Sequence, residues 1–224
     1  MVGQYEPPNE KRIMTNQEFT TVMEKLFLLK DFHSITILSL LWYSFIRPGA
    51  LPSIRAKKCE PIPLVEQNMD VRLLFTDCDN DVITLLDGPA LYFIVRVTLD
   101  KNVAQEHRFA IVPPFLSTTR TDLSPSKAMM QHIHQMTNPR GFVTSEHGET
   151  KFSNYTSVFD NINELLDQPP KTFSAYSFRK GGATALLEEN TFQDVQFAGG
   201  WKSSSSVEHY IRQTPKFLRK LFRF

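Results

Sequence analysis

Tyr176 and Arg179 stand three residues apart in the run Tyr176-Ser177-Phe178-Arg179-Lys180-Gly181-Gly182-Ala183-Thr184, and Tyr210 follows Trp201 by nine positions. These residue types suit one chemistry, holding a phosphodiester and attacking it. A guanidinium offers a planar fork that matches two phosphate oxygens. An indole adds one N–H donor, and a tyrosine hydroxyl is a nucleophile. On a helix, positions three apart share a face, so Tyr176 and Arg179 would meet one ligand. Gly181 and Gly182 lie inside the same helical pattern, where each costs about 1 kcal/mol relative to alanine. A helix carrying both has something passing close to its backbone. The plainer alternatives are an exposed arginine beside a tight helix crossing, and a packed aromatic at Tyr210.

The elements that must position these residues follow from patterning. Residues 1–14 read as a polar leader and residues 15–224 as one domain. Thr15-Asn16-Gln17-Glu18 matches a capping box and predicts a helix to about residue 30, with Phe19, Val22, Met23, Leu26 and Phe27 on one face. A second helix is predicted over 32–46, stopped or restarted by Pro48, with a short helix through Arg55. Segments 82–86, 90–99 and 108–112 are rich in β-branched and aromatic residues, and Asp87-Gly88 is a good turn between the first two. They predict a three-stranded antiparallel sheet, with 100–106 as a polar loop. Ser124-Pro125 predicts an N-capped helix over 125–136. Further helices are predicted over 153–166, 175–189, 192–198, 204–211 and 215–222. The fold class is mixed α/β, mainly helical with one small sheet.

Composition narrows the function classes. The chain has 224 residues and a hydrophobic content of 41%, enough for a sizeable core. The net charge is +1, yet from Lys171 onward nine Lys or Arg face four Asp or Glu, a local net of +5. A basic end on a near-neutral whole points to a local anion site. Cys59 and Cys78 argue against a disulfide scaffold and fit a reducing intracellular compartment, with free thiols favoured over one bridge. The apolar stretch 35–46 is interrupted by Ser39, Tyr43 and Ser44 and is too short to span a bilayer. No membrane association, small-molecule substrate, cofactor or metal is expected. His132 and His134 are two apart on a predicted helix and point apart. Glu188-Glu189 reads as a solvated helix end, and no Gly-x-Ser-x-Gly or His-Glu-x-x-His motif is present.

Three segments resemble the motifs of the tyrosine recombinase (phage integrase) family. The run 176–186 is similar to the second, His-x-Leu-Arg-x-x-Gly/Ala. Ala198-Gly199-Gly200-Trp201-Lys202-Ser203 with Tyr210 is similar to the third, Leu-Gly-His/Trp-x-Ser followed by a tyrosine nine residues past the His/Trp. Trp42-Tyr43-Ser44-Phe45-Ile46-Arg47-Pro48-Gly49-Ala50-Leu51 is similar to the first, Thr-Gly-x-Arg-x-x-Glu-Leu. All three stand in the family's order, and the resemblance covers residues 15–224. It implies a catalytic-domain fold in which Arg47 and Arg179 clamp the nonbridging oxygens of a scissile phosphate. Trp201 would complete the cage and Tyr210 would attack phosphorus, giving a 3′-phosphotyrosine and a free 5′-hydroxyl. Because that ester preserves the phosphodiester energy, rejoining needs no ATP.

The family's leaving-group lysine lies on the turn between the second and third strands. Lys101 occupies such a turn here, where the plain alternative is a solubilising charge. Two positions depart from the pattern: Tyr176 replaces the usual His, and Ala50 replaces the acidic residue that supports the first arginine. These departures imply a divergent branch, of mobile-element or domesticated type.

The expected activity is site-specific DNA cleavage and rejoining, in recombination or integration. The alternatives are type IB topoisomerase-like relaxation and a domesticated DNA-binding module without turnover. The implied partner is double-stranded DNA, bound by a homodimer or homotetramer through the C-terminal segment. The expected location is intracellular and DNA-associated, nuclear in a eukaryote. The resemblance also implies a catalytic domain of a longer protein, with a DNA-clamping domain elsewhere. The basic amphipathic tail 216–224 suits a neighbouring protomer, packing in cis, a membrane surface or a partner groove.

Overall fold

A computed structural model of the chain describes residues 12–53, 59–63, 91–98, 107–117, 119–138, 141–145 and 156–208. Helix α1, Asn16–Leu29, begins as its sequence dictates. The Thr15 hydroxyl accepts the Glu18 N–H at 3.2 Å, and the Glu18 carboxylate accepts the Thr15 N–H at 2.9 Å. Its buried face is Phe19, Val22, Met23 and Leu26, the spacing of one helical stripe. Lys30 closes the helix in a left-handed conformation.

Helix α2, Phe32–Ser44, is capped by Asp31, whose carboxylate accepts the Ser34 N–H at 2.9 Å. Every residue from Ser34 to Trp42 is buried, so this helix is the axis of the core rather than an amphipathic covering. Its polar members are absorbed locally: the Thr36 hydroxyl donates to the Phe32 carbonyl at 2.7 Å, and Ser44 donates to that of Leu40. The helix stops at Phe45, φ 47°, short of the expected Ile46. Of the expected short helix after Pro48, the described residues show one 3₁₀ turn, Leu51–Ser53, and positions 54 and 55 lie outside them.

Strands β1, Cys59–Pro63, β2, Leu91–Thr98, and β3, His107–Val112, form an antiparallel sheet in the order β1-β2-β3. β2 and β3 lie where patterning placed the second and third strands, in the register Val95 opposite Ala110 and Ile94 opposite Ile111. The first strand differs. Cys59–Pro63 lies along Leu91–Val95 of β2, with β3 on the other edge. The expected strand 82–86 and its Asp87-Gly88 turn lie outside the described residues. β1 carries Pro61 and Pro63, which argue against a strand in sequence. An edge strand tolerates them because prolines two apart withhold their N–H groups on the same side. Val95 and Val112 are buried while Ile111 is 54% exposed, so one face of the sheet meets the helices.

Helices α3, Pro125–Gln135, α4, Thr156–Leu165, α5, Ala175–Glu189, α6, Phe192–Gly199, and α7, Ser204–Glu208, complete the described chain. α3 has the expected start: the Ser124 hydroxyl accepts the Lys127 N–H at 3.1 Å, with Pro125 at the first position. α2 packs against α1, α3, α5 and β3. The main core comprises the buried faces of α1 to α5 and the sheet, while a smaller cluster joins Phe45, Ala183, Leu187, Val195, Trp201 and Val207. One expectation is corrected at the N-terminal end. Residues 12–14 are not a free polar leader: Met14 is 1% exposed, and its N–H donates to the Ser177 carbonyl at 3.3 Å. The pair Ile13-Met14 at the end of a polar run is too short to show a period that would announce its burial. Among the described residues no helix is long and apolar enough to cross a membrane. The expected helix 215–222 and the end of the expected helix 204–211 lie outside them.

Candidate active site

α5 carries two of the candidate residues, and its start is fixed from three sides. The Ser177 hydroxyl oxygen accepts the Ser174 N–H at 3.0 Å. Asn163 on α4 accepts the Phe173 N–H at 2.9 Å and donates to the Phe159 carbonyl at 2.7 Å. The Met14 N–H meets the Ser177 carbonyl. Further along, the two glycines do what their cost implied. A Cβ on Gly181 would lie 2.6 Å from Trp42 Cζ3, and one on Gly182 would lie 3.0 Å from the Trp42 carbonyl carbon and 3.1 Å from Phe45 Cε1. The backbone of α5 therefore lies directly on the end of α2. The crossing is tight, as the plainer reading held, but the arginine beside it is not exposed.

Arg179 is 1% exposed and heads the fully buried side chains by volume. Its guanidinium carbon lies 5.5 Å from the Trp201 ring centroid, within cation–π range. Nε and Nη1 of Arg179 and Nε1 of Trp201 are buried and make no hydrogen bond among the described residues, while both side chains take part in other interactions. Tyr176, one turn earlier, is 48% exposed. The two residues of the expected shared face thus differ in depth: Tyr176 is exposed and Arg179 is buried.

Trp201 reaches Arg179 because α6 ends on two glycines. Gly200 takes φ 64° and donates to the Phe197 carbonyl at 3.0 Å, and the Trp201 N–H donates to Gln196 at 3.0 Å. The Gln196 side chain returns a hydrogen bond to the Trp201 carbonyl at 3.2 Å. The indole then folds back across Gly199, where any Cβ would strike the ring. Gly199-Gly200 is thus the sequence signal for a tryptophan turned inward.

Arg47 is half-buried and lies two residues beyond Phe45. Its carbonyl accepts the N–H groups of Ala50 at 2.8 Å and Leu51 at 3.1 Å, which folds the segment after α2 into a closed turn. The Phe45 ring stacks on Trp201, centroids 6.0 Å apart and planes 23° apart. One apolar cluster therefore joins the Arg47 turn, the Arg179 helix and the Trp201 loop.

With that geometry in place, the comparisons with solved structures bear on it. The chain is similar to the crystal structure of XerA recombinase, with TM-score 0.61 and 15% identity over 98% of this chain and 65% of that one. It is also similar to XerH site-specific recombinase bound to palindromic difH substrate in a post-cleavage complex, with TM-score 0.58 and 9% identity over 100% of this chain and 54% of that one. The chain shares the fold of these two recombinases. It spans 65% and 54% of their lengths, and at such identities the likeness is one of fold. No family model and no curated protein matches the sequence.

Of the six candidate residues, Arg179 and Trp201 touch, Arg47 rises from the turn that Phe45 links to them, and Tyr176 is exposed. Lys101 and Tyr210 lie outside the described residues. Elsewhere, the two histidines of α3 diverge as their spacing implied. His134 is exposed, while His132 is 3% exposed, with Nε2 donating to the Val143 carbonyl at 2.9 Å. Its ring lies 5.1 Å from that of His33, whose Nε2 donates to the Thr144 carbonyl at 3.0 Å. Burial, and secondarily the neighbouring His33, pushes the His132 imidazole down to about 4. This pair was not legible in the sequence, since His33 and His132 are remote from each other along the chain. Burial pushes the Tyr43 phenol up, out of the range of acid–base work at neutral pH. Among the described residues no group of three or more His, Cys, Asp or Glu is gathered to hold a metal.

Proposed function

We propose that this chain cleaves and rejoins DNA strands through a tyrosine-linked intermediate. The observation that carries the reading is Arg179: a guanidinium buried to 1% and packed on Trp201, on the fold of two recombinases. An arginine held in this way cannot sample many rotamers, so its fork is pre-organised for an anion. The motif resemblance implies that Arg47 holds the same phosphate together with Arg179.

In this reading the Tyr210 phenol, whose ordinary pKa is about 10, loses its proton to solvent water, and two guanidinium groups favour the phenolate. Its oxygen forms a bond to phosphorus while the bond from phosphorus to the 5′-oxygen breaks. Lys101 gives the leaving 5′-oxygen its proton. Arg47, Arg179 and the Trp201 N–H stabilise charge on the nonbridging oxygens. Loss of one such donor costs roughly 100- to 1000-fold in rate. Tyr176 hydrogen-bonds the phosphate, without the ready proton exchange of a histidine at neutral pH. Reversal by a 5′-hydroxyl restores the phosphodiester. The substrate is double-stranded DNA, gripped by a dimer or tetramer through the C-terminal segment. The XerH complex with its difH substrate supports DNA as the ligand class. A role in integration or in a mobile element rests on the motif resemblance.

The test is incubation with a pool of nicked suicide duplexes, from which a cleaved strand cannot be rejoined. A covalent protein–DNA adduct that is lost in Arg47→Ala and Arg179→Ala supports the assignment. Unchanged adduct in both variants sinks it. DNA binding with no adduct on any duplex points instead to a binding module, and relaxation of plasmids regardless of sequence points to a topoisomerase-like activity.

A further inference from the structure

Phe45 takes φ 47° and ψ 30°, the left-handed region that bulky side chains rarely adopt. It stands where the first motif, Thr-Gly-x-Arg, has glycine, a residue that enters this region without strain. The phenyl ring is nevertheless held in place, 4% exposed. It stacks on Trp201 at 6.0 Å, and Trp201 in turn lies 5.5 Å from the Arg179 guanidinium carbon. Its Cε1 also faces Gly182 so closely that a Cβ there would lie 3.1 Å away. Two residues later comes Arg47, and three residues after that Ala50, where the resembled motif has its supporting carboxylate.

We infer that Phe45 is a positioning residue: its ring, packed against Gly182 and Trp201, fixes the Arg47 turn against the Arg179 helix. In this chain an aromatic stack supplies the support that the motif draws from its acidic residue. The inference rests on the proposed cleavage activity, since it assigns Phe45 a part in assembling that site. The physical logic is that backbone strain persists only where surrounding contacts over-determine it. Here the contacts are those of the stacked ring, and they connect all three elements that bear phosphate-binding candidates. A ring that merely filled space would contribute to stability alone. A ring that sets the distance between two arginines would contribute to the rate of the chemical step, because a misplacement near 1 Å costs roughly 100-fold in rate.

Phe45→Gly separates these roles, because glycine accepts the left-handed backbone and removes the stack. Phe45→Tyr keeps the ring. Leu187→Ala empties another 1% exposed position of the same cluster while leaving both rings of the stack in place. The readouts are single-turnover cleavage of a suicide duplex, DNA affinity, and the fluorine resonance of 5-fluorotryptophan at Trp201, assigned with Trp201→Phe. Phe45→Gly should lose roughly 100-fold in single-turnover rate while its DNA affinity changes by no more than about threefold. Its Trp201 resonance should move. Phe45→Tyr should restore both the rate and the resonance, and Leu187→Ala should lower the melting temperature but leave the rate of the folded protein near wild type. If Phe45→Gly does not fold, Phe45→Leu takes its place with the same expectation. Wild-type cleavage in Phe45→Gly, or an unmoved Trp201 resonance, overturns the inference and leaves the proposed function standing. A wild-type protein that forms no adduct on any duplex overturns both.

Discussion

Replacing Gly182 with alanine tests the crossing that seats Arg179. A Cβ at this position would sit 3.0 Å from the Trp42 carbonyl carbon and 3.1 Å from Phe45 Cε1, with the Trp42 oxygen closer still. Carbon contacts are comfortable at about 3.5–4.0 Å, so α5 must withdraw from α2 by roughly 1 Å. The obstacle is backbone, which cannot rotate away as a side-chain tip would. Overpacking of this kind costs about 1–3 kcal/mol, and the higher helix propensity of alanine offsets about 1 kcal/mol of it. The net loss should be up to about 2 kcal/mol, read as a lower urea midpoint with an unchanged slope. The same withdrawal carries Arg179 away from the Arg47 turn, so single-turnover cleavage should fall roughly 100-fold, more than the stability change alone explains. Gly49→Ala is the control, since a Cβ there meets nothing within 4 Å, and its stability should stay within about 0.5 kcal/mol of wild type. A Gly182→Ala protein as stable and as active as wild type would refute the view that this crossing positions the guanidinium.

Three further outcomes are expected. Folded His132 titrates near 4 against an ordinary 6.5, so it stays neutral while the unfolded chain takes up a proton. Its contribution is intact above pH 6.5 and is lost as pH falls toward 4, amounting to about 3 kcal/mol; urea unfolding across that range should show the loss in wild type and a smaller one in His132→Gln. Arg179→Lys replaces a planar fork with a point charge, and should reduce adduct formation at least about 100-fold; adduct at the wild-type rate would show that the fork is not used. Thr15→Ala removes the hydroxyl that accepts the Glu18 N–H, and should lower unfolding free energy by about 1 kcal/mol with no change in cleavage rate.

The parts of the fold that patterning located are those governed by local rules. The capping box at Thr15 and Glu18, the Ser124-Pro125 start of α3 and the long apolar run of α2 each carry their own instruction. β1 was not legible, because its two prolines, Pro61 and Pro63, are disfavoured in a strand except at a sheet edge, and edge position is set by tertiary pairing. The burial of Met14 was equally hidden, being decided by a contact with a helix that begins more than 150 residues later. At the site, spacing joined Arg179 to Tyr176 but not their depths, since periodicity gives a face and not an exposure. Gly181 and Gly182 signalled a close neighbour without naming α2 as that neighbour. The stack of Phe45 on Trp201 had no sequence signature at all. An aromatic in a left-handed turn is visible only once the backbone is placed.

The central claim is that Tyr210 carries the cleaved strand. The measurement that tests it most directly is mass spectrometry of the protease-digested adduct from a suicide duplex. A nucleotide joined through its 3′-phosphate to the peptide containing Tyr210 is expected, with a free 5′-hydroxyl on the released strand and no adduct in Tyr210→Phe. A linkage on another residue, a 5′-phosphate linkage, or an adduct that survives Tyr210→Phe would contradict it.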